Sequence, residues 1–479
     1  MVKRKSSQSS TMDLKGRDHD LIMYPALTTL WGKASPRPNV KKFCHQGYVT
    51  EQHLTNFLCF CTRLAVLPDD LVFEILRRMT SRCLLECKLV CKSWQVMIES
   101  PQFMESRSLP GLIVYYEEPD SAYPELWFSK RELNLFHCSL RAEGGPVQEF
   151  EILGKVAPSV WFKRSHLMTQ IIDGLVCVYG LKVLKIWNVH TGESMSLPEP
   201  SLPFDSDNQR CLFRRRFYLG YDPSAGVYKL LKLDIPRYSC PHGVSAEILT
   251  LGNSSSSWRE LQRGDVAGTD WPPAMVNLEP YFIASNSNSS DGFIYWVGVT
   301  DHGSPRLLSF DLRQENFRWI TLPDDLIIRD DETSKLKFRD LKITQSMGYL
   351  ALWFPPGAAE DDCFVLFISE NKGISWSKHA VRLPRGLRDE PFQKFVKVVG
   401  NLPTGELLLL NPKAETSAVP VYSYDHIEKK FGKFVVGKMP QPLRPILGEF
   451  RGRTVKIPVM ISCGLENFKP LDVALSRGG

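Results

Sequence analysis

Cys83, Cys87 and Cys91 recur every four residues, and Cys240-Pro241-His242 sets a thiol two positions from an imidazole. Thiolate and imidazole are what zinc takes up, but a structural zinc site draws on two arms of the C-x2–4-C or H-x3–5-H kind. Three cysteines at helical spacing with no histidine arm describe one face of a helix instead. The twelve cysteines are scattered through 479 residues and read as small buried hydrophobes of a reducing compartment. The ten histidines are spread thinly, with no H-x-H or H-E-x-x-H spacing, so a copper or zinc catalytic centre has no ligand set. No G-x-x-x-x-G-K-[ST] phosphate loop and no G-x-S-x-G nucleophile elbow occurs. The residue inventory therefore predicts no catalytic residue, no metal and no cofactor.

The elements that must position any functional residue come in two textures. Between Leu67 and Phe103 the chain is helical in pattern. Asp69 after Pro68 is placed as an N-cap, with acidic Asp70 and Glu74 near the helix start, and Leu71, Ile75 and Met79 form an i, i+4, i+8 apolar stripe. Ser81 is positioned to cap a second helix carrying Leu84, Leu85 and Leu89, and a third carries Trp94 and Ile98 and stops at Ser100-Pro101. Three helices in so short a stretch enclose a small core. Yet apolar residues face nearly every side, Leu67, Val72 and Phe73 included. That surplus predicts a partner surface, with packing on the rest of the chain as the alternative.

After Pro110 the texture changes to short runs of Val, Ile, Leu, Tyr, Phe and Trp punctuated by Gly, Asn, Asp and Pro, which read as buried strands. The runs recur in order. A strand led by Gly is followed by one ending in Asp or Asn, then a polar turn, an aromatic residue and a closing apolar one. The aromatics Trp258, Phe317, Trp376 and Phe431 are 59, 59 and 55 residues apart, and the leading Gly292, Gly348 and Gly405 are 56 and 57 apart. Each unit is a small twisted sheet that cannot bury both faces alone. Stacking the units radially buries the aromatics between them. Residues 111–460 at this period predict an all-β, kelch-like propeller of about six blades, and the alternative is an irregular pair of β-sandwiches.

Charge adds a limit on partners. The formal net charge is +6, from 59 Lys or Arg against 53 Asp or Glu. Residues 1–42 hold nine of the basic residues and three Asp, which accounts for all of it, and the remaining 50 basic and 50 acidic residues balance. A neutral body does not coat nucleic acid. No run approaches the roughly 18–20 apolar residues of a membrane helix, and the N-terminus lacks the apolar region of a secretory signal. The expected residence is cytoplasm and/or nucleus. Lys3-Arg4-Lys5 is shorter than the basic clusters that direct nuclear import.

The helical segment resembles an F-box. Leu67-Pro68-Asp69-Asp70-Leu71, Glu74-Ile75-Leu76-Arg77-Arg78, Val90-Cys91-Lys92-Ser93-Trp94 and Ser100-Pro101-x-Phe103 stand in family order and spacing. Met79-Thr80 departs from the usual Leu-Pro, and Glu86-Cys87 from a commonly basic position. The β-region resembles the F-box-associated or kelch-like region of plant F-box proteins. The matching residues are Asp173-Gly174-Leu175-Val176-Cys177, Ile186-Trp187-Asn188, Gly220-Tyr221-Asp222-Pro223, Ser256-Ser257-Trp258 and Leu308-Ser309-Phe310-Asp311.

The resemblance implies a non-catalytic substrate receptor of an SCF-type cullin–RING ubiquitin ligase, and not an enzyme. The F-box would dock on a Skp-type adaptor, and the propeller would hold a protein target for ubiquitination, with neither nucleic acid nor membrane as partner. A scaffold or transcriptional co-regulator outside a ligase is the alternative. The implied division is a disordered basic tail at 1–45, a lead-in helix at 46–66, the F-box at 67–108, the propeller at 109–460 and a tail at 461–479. The adaptor-facing candidates carried over are Leu67, Pro68, Leu71, Ile75, Leu76, Leu84, Val90, Cys91 and Trp94. Candidates for the target, drawn from long loops, are Arg237, His242, Trp271, Arg329, Arg385 and Arg388.

Overall fold

The computed structural model describes residues 67–79, 81–106, 111–118, 132–140, 151–156, 167–179, 184–200, 213–236, 244–252, 257–261, 292–299, 305–323, 341–354, 363–371, 373–388, 396–402, 404–410, 419–436, 448–450, 453–455 and 459–464. The tail and the lead-in helix expected before residue 67 lie outside these residues. Among the described residues no helix is long and apolar enough to cross a membrane.

Four helices, not three, open the described chain: α1 (Asp69–Arg77), α2 (Ser81–Cys87), α3 (Lys92–Glu99) and α4 (Pro101–Ser106). Asp69 is the first helical residue and not the cap. Pro68 holds the cap position at φ −55°, ψ 146°, and no side chain caps the helix there. The Pro68 carbonyl accepts from Leu71 N–H at 3.0 Å and Val72 N–H at 3.1 Å. Asp69 and Asp70 then face the positive end of the helix. The expected stop at Ser100-Pro101 is a restart. Ser100 is extended, and its Oγ accepts from Phe103 N–H at 3.2 Å, capping α4, whose first residue is proline.

The β-region is built from antiparallel meanders. The first sheet contains β1 (Gly111–Glu118), β2 (Glu132–Ser139) and β3 (Glu151–Val156). The second is β4 (Leu167–Met168), β5 (Leu175–Tyr179), β6 (Leu184–Asn188) and β7 (Ser194–Ser196). The third is β8 (Phe213–Asp222), β9 (Val227–Pro236), β10 (Ser245–Thr250) and β11 (Arg259–Glu260). A three-stranded sheet follows, β12 (Phe293–Val299), β13 (Pro305–Asp311) and β14 (Asn316–Ile320). Next come β15 (Lys342–Ser346), β16 (Tyr349–Phe354), β17 (Cys363–Ser369) and β18 (Ser377–Arg382), the short helix α5 (Arg385–Arg388), and β19 (Lys397–Asn401), β20 (Leu407–Leu410), β21 (Val419–Asp425) and β22 (Lys430–Val436). The ribbon β23 (Gly448–Phe450) with β24 (Arg453–Val455) precedes β25 (Val459–Gly464).

β25 returns to the first sheet and pairs antiparallel with β1, from Gly111 opposite Gly464 to Tyr116 opposite Val459. This closure joins the two ends of the β-region and makes it a propeller. It also corrects the boundary expected at residue 460, which falls inside β25. The expectation of about six blades is corrected to five four-stranded blades among the described residues. The three-stranded sheet packs between β8–β11 and β15–β18.

Strands β5 and β20 are apolar throughout because neighbouring sheets cover both their faces. β5 and β20 are buried at every residue, whereas the outer β7 is wholly exposed and β18 nearly so. Four clusters fill the seams between successive sheets from β4 to β22. Trp258, Phe317, Trp376 and Phe431 each belong to a different one, which explains their spacing. Trp258 Nε1 donates to the Pro198 carbonyl of the preceding blade at 2.8 Å, and Trp376 Nε1 donates likewise to Thr321 at 3.0 Å.

The strand-ending Asx residues have one local cause. Oδ1 of Asn188 accepts from the N–H of His190 and Thr191, and that of Asp222 from Ser224 and Ala225. Asp311 accepts from Arg313 and Gln314, and Asp425 from Ile427 and Glu428. In all four the residue four places on is left-handed: Gly192, Gly226, Glu315 and Lys429, at φ 73°, 69°, 55° and 55°. The side chain supplies the acceptor that a tight reversal needs, so the strand ends there.

Candidate protein-interaction site

The helical unit closes around Val72, Leu76, Leu84, Cys87, Trp94, Ile98 and Phe103, all buried. Phe73 meets Phe103 edge to face at 5.3 Å and joins α1 to α4. Lys88 Nζ reaches Glu99 Oε1 at 2.8 Å and joins the end of α2 to α3. Arg77 Nη2 donates to Glu74 at 2.8 Å, and that hydrogen bond holds the Glu74 carboxyl below its ordinary range.

The cysteines that open the chemical inventory have packing roles here. Cys87 Sγ lies 3.6 Å from Met79 Sδ, and Cys91 Sγ accepts from Trp94 N–H at 3.5 Å as the cap of α3. Among the described residues no group of three or more His, Cys, Asp or Glu could hold a metal ion.

The adaptor-facing candidates separate by burial. Leu67, Pro68 and Leu71 are exposed at the start of α1, Leu71 at 52%. Cys91 is exposed, while Ile75 and Val90 are half-buried. Leu76, Leu84 and Trp94 are interior, so in this conformation they hold the helices together and offer no surface. Within the helices one exposed apolar residue escaped the sequence reading: Val96, at 61%. Its signal was present, since Trp94 and Ile98 mark the buried face of α3 and a residue midway between them projects from the opposite one.

The propeller offers two rims. Successive turns of a meander alternate ends, so the Asp173-Gly174, Met347-Gly348 and Thr404-Gly405 turns lie at one end with the β6–β7, β17–β18 and β21–β22 hairpins. Gly111 opens β1 in the place that Gly348 and Gly405 take before their own strands, so the chain enters the propeller from the helices at this rim. The β9–β10 and β16–β17 connections, and the segment with α5 between β18 and β19, join strand ends at the other. Of the target candidates, Arg385 is exposed at the start of α5 and Arg388 ends the same helix. Arg237, His242, Trp271 and Arg329 lie outside the described residues.

Comparison with known proteins agrees with this division. The family model for the F-box associated beta propeller domain matches residues 127–455, and that for the F-box domain matches residues 64–106. The chain is 25% identical over 373 residues to F-box protein At5g65850 of Arabidopsis thaliana, covering 76% of this chain and 82% of that protein. It is 26% identical over 263 residues to F-box protein At5g18160 of the same plant, covering 54% and 58%. Among solved structures, the WD40 domain of SCAP from fission yeast aligns with a TM-score of 0.31 at 10% identity, over 66% of this chain and 86% of that one.

Proposed function

Since the chain belongs to the F-box proteins that carry an F-box-associated β-propeller domain, we propose that it is the substrate-recognition subunit of an SCF-type ubiquitin ligase. Its F-box docks on a Skp-type adaptor and its propeller holds the protein target. The observation that carries the reading is a helical unit whose interior is complete while Leu67, Leu71 and Val96 stay in solvent. Exposed aliphatic residues on helices that have already filled their own core are what a docking face supplies.

The chemistry on this reading belongs to other subunits. The receptor contributes proximity: it holds a target lysine near the charged conjugating enzyme, so a bimolecular encounter becomes an intramolecular one. No side chain of this subunit need bear on the reacting atoms.

The test is co-purification of the full chain with a Skp-type adaptor. Leu67→Ala combined with Pro68→Ala should abolish it and leave the propeller's circular dichroism unchanged. Undiminished adaptor binding by that double variant overturns the reading. A protein captured by this variant should accumulate when the gene is removed; a captured partner of unchanged lifetime favours a scaffold or transcriptional co-regulator. Cytoplasmic or nuclear residence belongs to the same proposal and is checked by imaging the tagged full chain.

A further inference from the structure

Among the described residues the large apolar side chains left in solvent fall into two groups. Leu67, Leu71 and Val96 belong to the helical unit. Met195, Ile374 and Ile427 belong to the propeller, and all three sit in or beside its outer hairpins at the rim by which the chain enters from the helices. Apolar residues scattered singly over a surface need no explanation. These are confined to one rim, and two of them occupy turns that nothing in the fold obliges to be apolar.

Ile427, 59% exposed, is in the β21–β22 hairpin, and Ile374, 86% exposed, is in the β17–β18 hairpin of the adjoining blade. Both backbones are fixed. Ile427 N–H donates to Asp425 Oδ1 at 2.8 Å. Around Ile374, Gly373 N–H donates to Ser369 Oγ at 2.6 Å and Ser375 N–H to Asn371 Oδ1 at 2.7 Å. Gly373 is seated so closely on Ile320 that a Cβ there would collide with it. Each isoleucine is thus held out on a turn that is already ordered, and docking it sacrifices little further chain entropy. The two hairpins also meet. His379 of β18 and His426 of the β21–β22 turn are 6.2 Å apart, and Tyr349 meets His426 edge-on at 6.2 Å. The corner therefore joins two aliphatic tips through a seam of rings, the composition of an interface core.

Its place in the ring selects what reaches it. β19, in the blade of Ile427, lies beside β25, and β25 pairs with β1, the strand by which the chain enters the propeller. Residues 107–110 are all that separate α4 from Gly111. Even fully extended, the steps from Ser106 to Gly111 span about 18 Å. A protein docked on the helices is consequently tethered close to the entry blade and to the blade of Ile427 beside it.

We propose that the corner formed by Ile374 and Ile427 is a second contact surface for the Skp-type adaptor, met by an apolar patch of that subunit. The inference rests on the ligase reading and extends the adaptor-binding face from the helices onto the propeller. Met195 lies on the other side of the entry blade, in the sheet β4–β7, and is outside this surface.

The test titrates the purified full chain with a purified Skp-type adaptor and reads the dissociation constant. Ile427→Asp and Ile374→Asp should each weaken binding about tenfold, as loss of an interface anchor does. Melting temperatures should stay at the parent value, because both side chains are exposed. Met195→Asp should bind as the parent does. An unaltered constant in either isoleucine variant overturns the second surface, and so does an equal loss in Met195→Asp. A variant that keeps adaptor binding but releases a target held by the parent, or alters the chain's own sedimentation, gives the corner to the target or to a second copy and overturns it too. The two failures are distinguishable. A parent chain that does not bind the adaptor sinks the ligase reading and this surface with it, whereas a parent and variants that bind alike sink the surface alone.

Discussion

Met347 donates its backbone N–H to the Gly405 carbonyl at 2.7 Å, and a Cβ placed on Gly405 would stand 2.6 Å from Met347 Cα. The first turn of one blade thus rests on that of the next with no space for a side chain. Gly348, next to Met347, has comparable backbone geometry, φ 83° against 97°, but open space around its Cβ position. The pair separates conformational strain from crowding. Gly348→Ala should cost about 1 kcal/mol from its left-handed backbone alone. Gly405→Ala should cost about 3 kcal/mol, because an overpacked contact is added. Urea denaturation of both variants checks the difference, and equal costs would contradict the close seam.

The charges between β8, β9 and β10 give a second prediction. Lys232, 1% exposed, lies 3.0 Å from Asp234 and also pairs with buried Glu247. Removing the cation leaves Asp234 to Arg215 alone and takes the Lys232 ion pair from buried Glu247. Lys232→Met should therefore destabilise by about 3–5 kcal/mol. Combining it with Glu247→Leu should recover part of the loss, read as a double-mutant coupling in the same denaturation assay.

Two histidines supply a pH dependence. The rings of His379 and His426 are 6.2 Å apart, and His426 Nδ1 lies 2.8 Å from Ser346 Oγ. Burial lowers both below the ordinary 6.5, helped by Lys429 at His379 and by His379 itself at His426, where Asp425 and Glu370 oppose the shift. The unfolded chain then binds protons first. Stability is full above about 6.5 and falls as pH drops from there through the folded values. Urea midpoints should fall across that window. His426→Gln should flatten the fall, and an unchanged slope would refute the assignment.

In the helical unit, burial separates residues that a motif alone places together. Leu71→Asp, at an exposed position, should remove adaptor binding while changing stability by no more than about 0.5 kcal/mol. Leu76→Asp buries a carboxylate at a fully buried position and should unfold the helices, at a cost above about 4 kcal/mol. Co-purification and helical circular dichroism on both variants distinguish lost surface from lost fold.

The local features were legible because their causes are local. An Asp or Asn that captures two following N–H groups ends its strand wherever it stands, so Asn188, Asp222, Asp311 and Asp425 could be read as punctuation before any sheet was known. The aromatic period was legible for a related reason: each unit needs one large residue at the same place to fill the seam with its neighbour. Asp69 was misread as a cap because Pro68 and Asp69 both suit a helix start, and only the backbone angles show which of them is outside it. Four of the six loop candidates for the target lie outside the described residues.

The sequence by itself determined the two textures, the turns, the seam aromatics and the F-box-like order of apolar residues, all of which depend on contacts within a few residues or on a fixed repeat. Tertiary structure alone decided three things. It paired β25 with β1 across the whole β-region, a register that no local preference encodes. It turned Leu76, Leu84 and Trp94 inward and left Leu71 and Val96 in solvent, because burial depends on what the other helices cover. And it seated the Met347 turn of one blade against Gly405 of the next, because that contact exists only once neighbouring sheets are stacked.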